Sequence, residues 1–263
     1  MGTVRAAVVT THSMRVLILS DIHGNLEALE AVLAAAGPVD TVWNLGDVVG
    51  YGASPNEVIE RIRPLASKNV RGNHDKVAAG ITTAEGFNPS AREAAEWTRE
   101  HIAQDAAAWL HDLPTGPVIC RTSNVALAHG SPVHEDAYIL NIRDAWAPLE
   151  RMEQQATFFG HTHIQGGFGW DSGHWFEITP AQQRGNGPTC WSLTLAEHRR
   201  YLLNPGSVGQ PRDGDWRAAY AIFDDTTRTV TFHRQPYDVD LAQGRILLAG
   251  LPEKLAKRLR EGR

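Results

Sequence analysis

A chain of 263 residues, 42% hydrophobic and 21% charged, has the composition of an ordinary globular protein and the length for one large α/β domain. A formal charge of −5 argues against an extended nucleic-acid surface. No apolar run reaches the roughly 18 residues of a membrane helix, and residues 1–13 lack the apolar core of a secretory signal, so no membrane partner and a cytoplasmic location are expected.

Residues 1–13 read as an extension of uncertain status ahead of Met14, leaving 14–263 as a single domain. A strand over Arg15–Leu19 is followed by a helix over Leu26–Ala36, stopped by Gly37-Pro38. Another strand, TVWNL, leads to a helix from Pro55 to Ala66 behind Ser54, and a long helix runs from about Ser90 to Leu110. The alternation predicts an α/β sheet with crossover helices. After Pro117 come the runs VIC and VALA, a helix over Arg143–Gln155 and the run TFF. Beyond Gly160 short strands dominate: GGFGW, HWFEI, CWSLTL, YLL, AAYAIF and, after an Asp224-Asp225 turn, TVTFHR. Residues 181–188 read as a hairpin loop, and Leu251–Arg260 as an amphipathic helix covering a sheet. Cys120 and Cys190, too few for a disulfide framework or a four-cysteine zinc site, read as interior thiols.

Twelve histidines outnumber the seven phenylalanines and five tyrosines, and position decides whether the excess has a chemical meaning. Polar, metal-capable residues follow apolar strands five times: Asp21 and His23; Asp47 after Gly46; Asn73, His74 and Asp75 after Gly72; His129 before Gly130; His161 and His163 after Gly160. In an open α/β sheet the carboxyl ends of the strands share one rim, where ligands bind. Each cluster alone has a structural reading, such as Asp21 capping a helix or Asp47 closing a turn. Five glycine-adjacent clusters in that position are poorly explained as caps.

Asp21, His23, Asp47, Asn73, His129, His161 and His163 are too many ligands for one divalent ion but suit two, with Asp47 as a bridging carboxylate. Imidazole and oxygen donors without thiolate suit Mn, Fe or Zn, and Ni accepts the same set. Mn is the first choice. Two such ions keep net positive charge, attract a phosphoryl group and acidify a water.

These motifs, in this order over about Met14 to Val208, resemble the calcineurin-like metallophosphoesterases. The resemblance implies a four-layer α/β/β/α sandwich of two mixed β-sheets flanked by helices. It also implies one ion on Asp21, His23, Asp47 and His163 and a second on Asp47, Asn73, His129 and His161. His74 would lie beside the scissile phosphate, oriented by Asp75, and assist the leaving oxygen while a hydroxide bridging the metals attacks in line. Asn25, Tyr51 and Arg212 are candidate substrate contacts; Asn25 reads equally as a helix N-terminal residue and Tyr51 as a packed loop aromatic. Tyr138 is a candidate for the cleft wall, and Trp146 for packing.

Gly46-Asp47 continues as Val48-Val49-Gly50-Tyr51, without the Asp-Arg pair that grips a monoester dianion in the protein-phosphatase branch. The expectation is therefore a phosphodiesterase with some monoesterase activity, acting on a small phosphoester or nucleotide. Dinucleoside polyphosphate hydrolysis and serine/threonine protein dephosphorylation are the enzymatic alternatives, and a non-catalytic scaffold is disfavoured because no ligand position is broken.

Overall fold

The computed structural model describes residues 14–263, and the expected extension lies outside the described residues. Its strands are β1 (Arg15–Leu19), β2 (Thr41–Asn44), β3 (Ala66–Asn69), β4 (Val118–Cys120), β5 (Val125–Leu127), β6 (Ala156–Phe158), β7 (Gly166–Asp171), β8 (His174–Ile178), β9 (Thr189–Thr194), β10 (Arg200–Asn204), β11 (Ala218–Asp224) and β12 (Thr229–Gln235). The helices are α1 (Leu26–Ala35), α2 (Pro55–Ile62), α3 (Asn73–Ala78), α4 (Pro89–His101), α5 (Gln104–Asp112), α6 (Ile142–Arg151), α7 (Val239–Leu248) and α8 (Glu253–Glu261).

The strands form two six-stranded mixed sheets, ordered β3-β2-β1-β11-β12-β9 and β4-β5-β6-β10-β7-β8. Alternation along β1 explains the layering, since successive side chains leave a strand on opposite faces. Val16 and Ile18 point between the sheets, meeting Phe223, Phe232, Phe158 and Leu203. Leu17 and Leu19 point outward into a helical layer that includes Leu29, Ile59, Ile246 and Leu255. Burial on both faces is why β1 reads as an unbroken apolar run. On the far side of the second sheet, Ala145 and Leu149 of α6 pack on Leu202 and Phe159. The fold is thus the four-layer α/β/β/α sandwich.

Several local expectations are corrected. The helix expected over residues 90–110 is two helices, because Ile102 and Ala103 are extended, with ψ of 137° and 147°. Asn56 satisfies the break: its side chain donates to His101 O and accepts from Ala103 N. α2 ends at Ile62, ahead of Pro64, whose ring cannot continue a helix, and the chain re-enters the sheet at Ala66 as β3. Residues 181–188 do not close a hairpin; they join β8, at the edge of one sheet, to β9, at the edge of the other. Cys190 is exposed, whereas Cys120 is buried. α7, capped by the Asp238 carboxylate accepting from Leu241 N, was not anticipated. α8 packs on α7 and buries Leu255, Ala256 and Leu259 in the helical layer.

Candidate metal centre

The carboxyl ends of β1, β2, β3, β5 and β6 converge on one edge of the sandwich, and every candidate ligand lies two to five residues beyond a strand. Convergence requires the chain to bend sharply there. Asp21, His23, Asp47, His161 and His163 all have positive φ, between 51° and 66°. Such backbone costs about 1–3 kcal/mol per non-glycine residue and persists where surrounding structure over-determines it. The constraints are visible: Asp21 N donates to Gly46 O at 3.0 Å, His23 N to Asp47 O at 3.0 Å, and Gly160 N to His129 O at 2.7 Å. Gly72 is required by close approach, since a Cβ there would lie 2.7 Å from Asp47 Cγ.

Two groups of donor atoms result, Asp21, His23, Asp47 and His163 in one and Asp47, His129 and His161 in the other, each within 4.8 Å. Asp47 belongs to both. Asn73 Oδ1 lies 3.2 Å from His129 Nε2 and completes the second group. Asp21, His23, Asp47, His129 and His163 are at most 1% exposed.

The imidazoles show whether cations fit. Each outer nitrogen faces a backbone carbonyl: His23 Nδ1 on Val49 O at 3.1 Å, His129 Nδ1 on Leu45 O at 2.9 Å, His161 Nε2 on Asp136 O at 3.1 Å and His163 Nδ1 on Gln210 O at 2.6 Å. A carbonyl only accepts, so it holds the proton on that nitrogen and leaves a lone pair on the inner one. The inner nitrogens face each other in pairs, His23 Nε2 to His163 Nε2 and His129 Nε2 to His161 Nδ1, both at 3.1 Å. Facing lone pairs repel, and a cation bound by both relieves the conflict. Electrostatics points the same way: burial opposes charging His129, yet the Asp47 carboxylate outweighs it and lifts the group to about 10. Burial, then the His129 charge, push His161 down to about 3.

His74 is buried beside this centre. Its ring packs 4.4 Å from Tyr51 and 4.7 Å from Phe87, and burial lowers it to about 4 despite the Asp47 carboxylate. Its Nδ1 has no hydrogen-bond partner among the described residues. The expected Asp75–His74 pair is not formed. Asp75 Oδ1 accepts from Val48 N at 2.9 Å and Val49 N at 3.2 Å, and Oδ2 from Gly72 N at 3.0 Å. Asp75 therefore ties the loop after Asp47 to the start of α3; burial and the neighbouring Asp47 charge raise it to about 7.

Of the candidate substrate contacts, Asn25 is occupied as the cap of α1: Oδ1 accepts from Ala28 N and Nδ2 donates to Gly209 O. Tyr51 packs edge-on against His23 and is 6% exposed, its hydroxyl bonded by Arg212 Nη2 at 3.3 Å. Both Tyr51 and Arg212 line a cavity of about 390 Å³ over the centre, with His74, Phe87, Tyr138 and the carboxylates Glu85 and Asp136. Tyr138 stacks on His161 at 4.0 Å, and Trp146 stands half-exposed near Trp175, outside the cavity wall. Phe87, Glu85 and the Asp136 carbonyl were not anticipated. Nothing local marks them, as they reach the site from a loop before α4 and a loop after β5.

Two sheets meeting at an edge that carries paired His/Asp clusters around a shared aspartate define a metal-dependent phosphoric ester hydrolase. The chain belongs to the calcineurin-like phosphoesterase superfamily, whose family model matches residues 14–228. Over 256 residues it is 34% identical to an uncharacterised protein of Methanocaldococcus jannaschii, covering 94% of this chain and 98% of that one. A crystal structure of a metallophosphoesterase from Sphaerobacter thermophilus is 39% identical with a TM-score of 0.80, covering 95% of this chain and all of that one. A symmetrical bis(5'-nucleosyl)-tetraphosphatase of Pectobacterium carotovorum is 28% identical over 165 residues, which is 51% of this chain and 59% of that relative. No helix among the described residues is long and apolar enough to cross a membrane.

Proposed function

We propose that the protein hydrolyses phosphodiesters of small organic or nucleotide substrates, with monoesters as poorer substrates, using two divalent ions of which Mn is the first choice. The observation that carries this reading is the charge of the cavity wall. Among the described residues, Arg212 is its one guanidinium or ammonium group, while Glu85 adds a carboxylate at the rim and the Asp136 carboxylate beside it is paired with Lys76. A monoester dianion gains little from one arginine and is repelled by Glu85. A diester brings a single charge and a second organic group that Tyr138 and Phe87 can meet.

Asp21, His23, Asp47 and His163 would hold one ion, and Asp47, Asn73, His129 and His161 the other. Ions there supply positive charge for the phosphoryl oxygens and a nucleophile from water near neutral pH. His74, with its depressed pKa, works as a neutral ring. Its sealed Nδ1, without a partner among the described residues, is better left as a lone pair than as an orphaned N–H, which puts the proton on Nε2. Nε2–H then donates to the oxygen on which charge develops, and removing one such donor costs about 10²–10³-fold in kcat. Arg212, held by Gln210 and Tyr51, orients the remaining phosphoryl oxygen.

The testing experiment compares an aryl phosphodiester, an aryl monoester, a cyclic nucleotide and a dinucleoside tetraphosphate, with Mn and after chelation. Chelation should abolish, and Mn restore, turnover led by the diester; faster monoester turnover would refute the preference. Dinucleoside polyphosphate hydrolysis is the second reading, favoured by the tetraphosphatase relative and the aromatic cavity walls. Two free thiols suit a cytoplasmic location.

A further inference from the structure

Lys76 is a buried lysine, 5% exposed, three residues beyond Asn73 on α3. Its ammonium lies 3.3 Å from Glu135 and makes a charge-assisted hydrogen bond to the Asp136 carboxylate. Removing an ammonium from water is expensive unless it is well paired, and an apolar side chain would fill the position without that cost. What the pair holds is the loop between β5 and α6.

Asp136 acts at both ends of that connection. Its carboxylate binds Lys76, and its backbone carbonyl accepts the Nε2 proton of His161 at 3.1 Å. That second bond sets which nitrogen His161 turns toward His129. The loop is also folded back on itself, Gly130 N donating to Glu135 O at 2.9 Å and Ser131 N to Ala137 O at 3.0 Å. Tyr138, two residues past Asp136, stacks on the His161 ring with an interplanar angle of 20°. One salt-bridged lysine therefore joins the helix that carries Asn73 to the loop that fixes His161, two elements with no strand pairing between them.

We propose that Lys76 is a positioning residue for the ion held by Asp47, Asn73, His129 and His161, setting the placement of Asn73 against His161 by clamping the 130–138 loop to α3. The inference rests on the two-ion reading above. Neither Lys76 nor Asp136 bonds to Asp21, His23 or His163, so its effect is confined to the second ion.

The test is Mn titration of chelator-stripped wild type, Lys76→Met and Lys76→Arg, counting bound ions per chain and the affinity of each. Wild type should bind two. Lys76→Met should keep the first and bind the second about 10–100-fold more weakly, the usual effect of losing an outer partner of a ligand. Lys76→Arg, which preserves the charge pair, should restore the second ion. Two ions in wild type with unchanged binding in Lys76→Met, or equal weakening of both ions, would overturn the proposal alone. A single ion in wild type would overturn the two-ion reading and the proposal with it. If Lys76→Met does not fold, Asp136→Asn takes its place: it keeps the carbonyl to His161 and removes one charge partner, and weakening confined to the second ion is again required.

Discussion

Replacing Gly50 by alanine perturbs His74 without touching any metal ligand. Gly50 has φ of +92°, and a Cβ built there would lie 2.9 Å from His74 Cγ, 3.1 Å from its Cβ and nearer still to Nδ1. Ordinary carbon contacts begin near 3.4 Å, so the imidazole must give way. A displacement of about 1 Å at a reacting group can cost about 10²-fold in rate. The backbone adds its own penalty of about 1–2 kcal/mol for an L-residue in a left-handed conformation. At about 2–4 °C per kcal/mol for a chain of this size, Tm should fall by several degrees. The assay is steady-state hydrolysis of an aryl phosphodiester with Mn, beside a count of bound ions and a thermal melt. Expected are two ions as in wild type, a lowered Tm, and a kcat reduced about 10–10²-fold, approaching that of His74→Ala. A variant with the lowered Tm but wild-type kcat would show that His74 has no part in the reaction, and lost ions would show that the substitution reached the ligands instead.

Asp47→Asn should lose both ions, because its carboxylate belongs to both clusters, whereas His129→Ala should lose one; both should reduce kcat by more than the roughly 10–100-fold typical of an outer partner. Arg212→Ala should raise KM more than it lowers kcat, with kcat/KM falling about 10-fold or more, since a hydrogen bond to a charged group is worth about 1.5–3 kcal/mol. Chelation should lower Tm, as an ion present at a thousandfold excess over its Kd contributes about 4 kcal/mol of stability. His233, stacked on Tyr220, is lowered to about 4 by burial and then by the Arg15 charge. Its folded pKa lies below its unfolded value near 6.5, so the unfolded chain binds the extra proton and stability falls as pH drops from about 6.5 toward 4. Urea unfolding at pH 7 and pH 5 should show that loss reduced in His233→Gln, and an identical pH difference in both proteins would refute it.

Residue type and strand-end position were enough to find the seven candidate ligands, since alternating apolar runs mark strands and the ends of parallel strands share a rim. Strand periodicity also placed β1, β2, β11 and β12, because burial and period are written in adjacent residues. Tertiary structure decided what each polar side chain bonds to. Asp75 stands next to His74 in the chain, yet its oxygens are taken by the amides of Val48, Val49 and Gly72, and Asn25 is spent on capping α1. His23 and His163 meet at 3.1 Å across 140 residues, and His161 takes its orientation from a carbonyl 25 residues away. A local pattern records which groups a strand delivers to the rim. The nitrogen that faces a metal, and the carboxylate that never reaches its neighbour, follow from hydrogen bonds between segments that only the packed sheets bring together.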